Sequence, residues 1–158
     1  MLSNKEIKFY QKNGYLIKRN FLSQKIRNNF FKSFLEICFN YGKKYFKINN
    51  IKDWDSPSFN NGLINLRKKN PKVFSKIYDV VQVTAAINKI VYFGKLNIIS
   101  SKLLKIKKDT ACEIASILRM DPPFDNKNSL GWHEEGCYNN RINDSVVTWC
   151  PMVNVNEI

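Results

Sequence analysis

Imidazole and carboxylate side chains readily share a first-row metal ion, and this chain places one of each two residues apart. His133 and Glu135 flank Glu134, and His133 is the only histidine among 158 residues. In an extended segment, residues i and i+2 face the same side. His133 and Glu135 would then project together while Glu134 points away. On one face they can fill two adjacent positions of an iron(II) ion. A third ligand, ordinarily a second histidine, completes the triangle, and the opposite face stays open to dioxygen and a co-substrate. The sequence holds no second histidine, and Ile158 falls in the middle of what reads as a longer domain. Without its neighbours, a lone histidine is more often a surface or core residue than a ligand.

The elements that must position this pair divide into a helical part and a strand-rich part. Ser3 and Glu6 form a capping box for a first helix, and Gly14 ends it. Tyr15 to Lys18 reads as a short strand. Ser23 caps a second helix whose apolar face is Ile26, Phe30, Phe31, Phe34, Ile37 and Cys38, spaced by threes and fours. Residues 43–70 carry Trp54, Pro57 and Asn60-Asn61-Gly62 among many Lys and Asn residues, and read as a loop-rich excursion. Pro71 opens another helix with the stripe Val73, Phe74, Ile77, Tyr78 and Val81. Ala85 to Val91 continues as a helix closed by Gly94, and Leu96 to Leu104 is one more. After Lys108 the pattern changes. Thr110 to Met120, Gly131 to Gly136 and Ser145 to Met152 read as successive strands, the first ended by Asp121-Pro122-Pro123. Helices followed by strands predict an α+β fold, with a helical layer packed on an antiparallel sheet.

Composition bounds the function classes. The chain is 44% hydrophobic and 13% aromatic, which sets it apart from disordered sequences. No apolar run is long enough to span a membrane, and no signal peptide is read at the N-terminus, so a cytoplasmic protein is expected. Cys38, Cys112, Cys137 and Cys150 form no C-x-x-C pair, which argues against a zinc knuckle and for free thiols. Twenty-six Lys+Arg against 13 Asp+Glu give a net charge of +13. The excess is mainly lysine spread along the chain, alongside abundant Asn and Ile, and matches the residue bias of an AT-rich genome. Clusters occur at Lys43-Lys44, Arg67-Lys68-Lys69 and Lys102 to Lys108. None is a long basic run, so nucleic acid is the least favoured partner class on sequence grounds.

Several segments together carry a resemblance. They are Arg119-Met120-Asp121-Pro122-Pro123, Leu130-Gly131-Trp132-His133-Glu134-Glu135, Tyr138, and Val147-Thr148-Trp149-Cys150-Pro151-Met152-Val153-Asn154. Near the N-terminus, a helix is followed by Asn13-Gly14-Tyr15-Leu16-Ile17 and Asn20-Phe21-Leu22-Ser23. In these segments the chain resembles the phytanoyl-CoA dioxygenase family of iron(II)/2-oxoglutarate oxygenases. The likeness spans most of the chain and is sharpest at its two ends.

The resemblance implies a double-stranded β-helix, or jelly roll, flanked by N-terminal helices. It implies iron(II) and 2-oxoglutarate as cofactors, and dioxygen-dependent hydroxylation of a small organic substrate with release of succinate and carbon dioxide. His133 would be the first iron ligand and Glu135 would take the carboxylate position, which in the family is ordinarily aspartate. Trp149 would line the co-substrate pocket and Tyr138 would border the substrate entrance. The second histidine, and the arginine that would pair with the far carboxylate of 2-oxoglutarate, have no counterpart up to Ile158. The expectation is therefore a single domain over residues 1–158, truncated at its C-terminal end and inactive by itself. Residues 1–108 would be mainly helical and 109–158 would hold the first jelly-roll strands. The alternatives are a non-catalytic binding remnant of the same fold and, last, a basic nucleic-acid-binding module.

Overall fold

The computed structural model describes residues 2–92, 94–107, 117–121, 131, 133 and 145–153. Among the described residues six α-helices are formed: α1 (Asn4–Asn13), α2 (Gln24–Gly42), α3 (Pro57–Lys69), α4 (Pro71–Gln82), α5 (Ala85–Val91) and α6 (Gly94–Leu104). Short 3-10 turns at Lys43–Tyr45 and Ile48–Asn50 follow α2. The chain divides into two compact units. The first comprises Met1–Phe21, Val91–Ala115 and Lys127–Trp149; the second comprises Leu22–Ile90, Ser116–Asn126 and Cys150–Ile158.

In the first unit α1 packs against α6. The Ser3 hydroxyl accepts from the Glu6 amide at 3.2 Å, and the Glu6 carboxylate accepts from the Ser3 amide at 2.8 Å, which completes the expected capping box. Gly14 ends α1 with φ +78°, where a side chain would strain the backbone, and its N–H donates to Tyr10 O at 2.8 Å. The reversed chain then sets Tyr15 edge-on to Phe9, with ring centres 5.4 Å apart. Helix α6 ends with Lys105 at φ +57°. There Ile106 N–H donates to Ser101 O and Lys105 N–H to Lys102 O, at 3.0 and 3.4 Å, the double closure of a Schellman motif.

In the second unit the core lies between α2, α3 and α4. Phe30, Phe31, Phe34 and Cys38 of α2 meet Phe59 and Leu66 of α3 and Phe74, Ile77 and Val81 of α4, all buried. Trp54 leads into α3 and closes an aromatic cluster. Its ring centre stands 5.3 Å from Phe30, 5.1 Å from Phe31 and 5.6 Å from Phe34. Asn70 serves two helices at once. Its N–H donates to Leu66 O at 2.8 Å to close α3, and its Oδ1 accepts from the Val73 amide at 3.3 Å to open α4.

The structure corrects the expected α+β architecture. Among the described residues there is no strand and no sheet, so the antiparallel sheet and the jelly roll give way to a helical fold. Tyr15 to Lys18 is irregular, and so are residues 117–121 and 145–151. A strand exists only through a ladder partner, and apolar β-formers do not supply one. Leu118 satisfies its backbone on a side chain of α4, and Ile117, Val147 and Trp149 are 71%, 65% and 75% exposed. Residues 110–116 and most of 131–136 lie outside the described residues. The loop expected over 43–70 is also corrected, since its second half is α3. Pro57 starts that helix, and Asn60 anchors its first turn by donating to Trp54 O at 3.0 Å. Gly94, expected to close α5, is instead the first residue of α6.

Candidate functional site

Two anchors tie the motif-bearing C-terminal segments to the helices of the second unit. The Gln82 side chain, at the end of α4, donates through Nε2 to Leu118 O at 3.0 Å and accepts at Oε1 from the Leu118 amide at 2.9 Å. Arg27 of α2 donates through Nη2 to Met152 O at 3.1 Å. Its Nε is buried without a hydrogen-bond partner, and its own carbonyl accepts from the Trp54 indole at 3.4 Å. Neither anchor is visible in the sequence. Bonds that bridge 36 and 125 residues between a side chain and a backbone leave no periodic trace.

Arg119 follows the Gln82 anchor directly. Its guanidinium donates to both Asp121 carboxylate oxygens, at 2.9 and 3.4 Å. The pair is roughly half exposed, a setting in which such pairs contribute little to stability. Cys150 lies two residues before Met152, whose carbonyl Arg27 holds. The cysteine is exposed overall, yet crowding around its sulfur raises the thiol pKa, an effect partly offset by the Arg27 charge. Cys38 is fully buried on α2, and desolvation pushes its thiol up to about 12.

His133 is exposed, and its Nδ1 lies 2.7 Å from Gly131 O. When Nδ1 carries the proton toward that carbonyl, the lone pair sits on Nε2, the usual tautomer of a metal-ligating histidine. Glu135, expected as the second ligand, and Tyr138, expected at the substrate entrance, lie outside the described residues, as do Trp132 and Glu134. Trp149 stands 75% exposed. Among the described residues no group of three or more His, Cys, Asp or Glu side chains is placed to hold a metal ion. No helix among them is long and apolar enough to cross a membrane.

Comparison with protein-family models, with curated proteins and with solved structures gives no match.

Proposed function

We propose that this chain belongs to an iron(II)/2-oxoglutarate-dependent dioxygenase-like protein that hydroxylates a small organic substrate, with His133 and Glu135 as its metal ligands. The proposal rests on the residue pattern from Arg119 to Asn154, not on a sheet. The single structural observation in its favour is the Gly131 carbonyl 2.7 Å from His133 Nδ1, a contact that favours the tautomer with its proton on Nδ1. An imidazole and a carboxylate form a donor set that suits iron(II). Bound iron would supply the oxygen-activating chemistry. The residues of this chain would hold it, with Trp149 bordering the 2-oxoglutarate pocket and Tyr138 the substrate. A cytoplasmic setting belongs to the same proposal, and the described cysteines, Cys38 and Cys150, are both free thiols.

Anaerobic titration of the chain with cobalt(II), a spectroscopic stand-in for iron(II), tests the ligand assignment. The oxygenase reading expects a weak cobalt absorption band that His133→Ala and Glu135→Ala each abolish. If the band persists unchanged in both variants, or never forms, the ligand assignment is wrong.

A further inference from the structure

Six lysines that are dispersed in the sequence come together at one end of the second unit. Lys43 and Lys44 directly follow α2, Lys68 and Lys69 close α3, and Lys72 and Lys76 occupy the first half of α4. Two contacts gather them. Gly42, the last residue of α2, lies so close to Leu66 of α3 that a Cβ at position 42 would stand 3.3 Å from Leu66 Cδ2. The Lys76 ammonium sits 4.7 Å from the centre of the Tyr41 ring, which brings α4 to the same helix end. All six lysines are exposed. No carboxylate pairs with any of them among the described residues. The sequence has no acidic residue over 37–52 or 56–78, and the neighbouring acids on these helices are Glu36 and Asp79.

Helix stabilisation explains only part of this cluster. Cations at the C-terminal ends of α2 and α3 complement the helix dipoles, but Lys72 lies in the first turn of α4, where the dipole disfavours positive charge. The like charges of Lys68, Lys69 and Lys72 also repel across the single-residue connection at Asn70. Such an arrangement is relieved by a polyanion. Two aromatic rings are interleaved with the cations: Tyr41, 40% exposed, and Tyr45, with the Lys44 ammonium 5.2 Å from its centre. Rings that stack bases beside lysines that hold phosphates are the means by which proteins grip unpaired strands.

We infer that the end of the second unit formed by Tyr41 to Tyr45, Lys68 to Lys72 and Lys76 binds the sugar–phosphate backbone of a single-stranded nucleic acid, independently of any chemistry at His133. The test is fluorescence anisotropy of a labelled oligouridylate with the full chain across a salt series. Binding falls as salt rises. The triple variant Lys68→Gln/Lys72→Gln/Lys76→Gln weakens it about tenfold and reduces the salt slope by about 2, each lost phosphate contact contributing roughly 0.7. The triple variant Lys5→Gln/Lys8→Gln/Lys12→Gln on α1 removes the same charge and leaves the slope unchanged. Tyr41→Leu weakens binding at constant slope. Circular dichroism confirms that each variant keeps its helices. Equal losses in the two triple variants overturn the proposal, because overall charge would then suffice. Binding to phosphatidylserine vesicles without binding to oligouridylate overturns it too, in favour of a membrane surface.

Discussion

The side-chain amide of Gln82 takes the place of a neighbouring strand for Leu118, pairing with both its N–H and its C=O at 2.9 and 3.0 Å. The geometry copies one rung of a β-ladder with a side chain as the partner. It also fixes the residue immediately before Arg119.

Replacing Gln82 with Ala leaves two partly buried backbone groups of Leu118 unpaired, at a cost of about 1–3 kcal/mol. The loss is expected locally first, as faster hydrogen exchange of the Leu118 amide than of the amides of α4. Gln82→Glu keeps the acceptor and loses the donor, and should lie between wild type and Gln82→Ala. Unchanged exchange at Leu118 in Gln82→Ala would show that the segment is held by something else.

Much of the helical framework could be read from local signals, because those signals act over a few residues. Ser3 with Glu6, Ser23, Pro71 and Gly14 each set a helix end through a bond or torsion in their own turn. The stripe Phe74, Ile77 and Val81 was legible for the same reason, since one helix face must be buried. The misreading of α3 has a specific cause. Asn60-Asn61-Gly62 is turn chemistry by type, yet Asn60 lies within the helix and ties its first turn to the Trp54 carbonyl, and Gly62 provides clearance for a ring. The strands expected around residues 117–120 and 145–152 failed because β-propensity describes a residue's fit to a sheet that other chain segments must provide. Of the candidate site, His133 could be singled out from residue type alone, whereas Gln82 and Arg27 act across long sequence separations and could not.

Gly62 gives a direct measure of close packing in the second unit. A Cβ there would fall 2.5 Å from Phe46 Cδ1 and 2.9 Å from the Tyr45 carbonyl oxygen. The ring could swing away, but the backbone oxygen could not. Gly62→Ala is therefore expected to destabilise by about 1–3 kcal/mol despite Ala's better helix propensity. A denaturation midpoint equal to or above that of wild type would show that the contact yields freely.

Glu6 predicts a pH dependence confined to acid. The Lys18 ammonium, first, and the Ser3 amide and hydroxyl, second, hold its carboxyl at about 2, below an ordinary value of 4.5. A depressed carboxylate contributes stability above its unfolded pKa and loses it on protonation. The contribution is thus complete above about 4.5 and fades as pH falls from there through about 2. An NMR titration of the Glu6 carboxyl should find its midpoint near the lower value, and molar salt should move it upward by screening Lys18. A midpoint in the ordinary range would mean that the Lys18 contact does not persist in solution.

The two described cysteines should differ sharply in reactivity. Thiolate is the reacting form, and burial pushes Cys38 up to about 12 while its relative exposure is 0%. Cys150 is exposed, with a more modestly hindered sulfur. Brief iodoacetamide treatment of the folded chain at mildly alkaline pH, read by peptide mass spectrometry, is expected to label Cys150 slowly and Cys38 only after denaturation. Early labelling of Cys38 would indicate that α2 opens readily.

Trp54 tests whether the aromatic cluster carries the second unit. It is 6% exposed, its ring touches Phe30, Phe31, Phe34 and Phe59, and its indole N–H donates to Arg27 O at 3.4 Å. Trp54→Ala removes a large buried side chain and leaves a cavity between α2 and α3, at a cost of about 3–5 kcal/mol. Trp54→Phe refills most of the space but gives up the bond to Arg27, and should cost less. Because Arg27 also holds Met152 through its guanidinium, both variants should speed hydrogen exchange around Met152 beyond the global loss. A Trp54→Ala penalty below about 1 kcal/mol would place the core elsewhere, since losses that small are typical of surface positions.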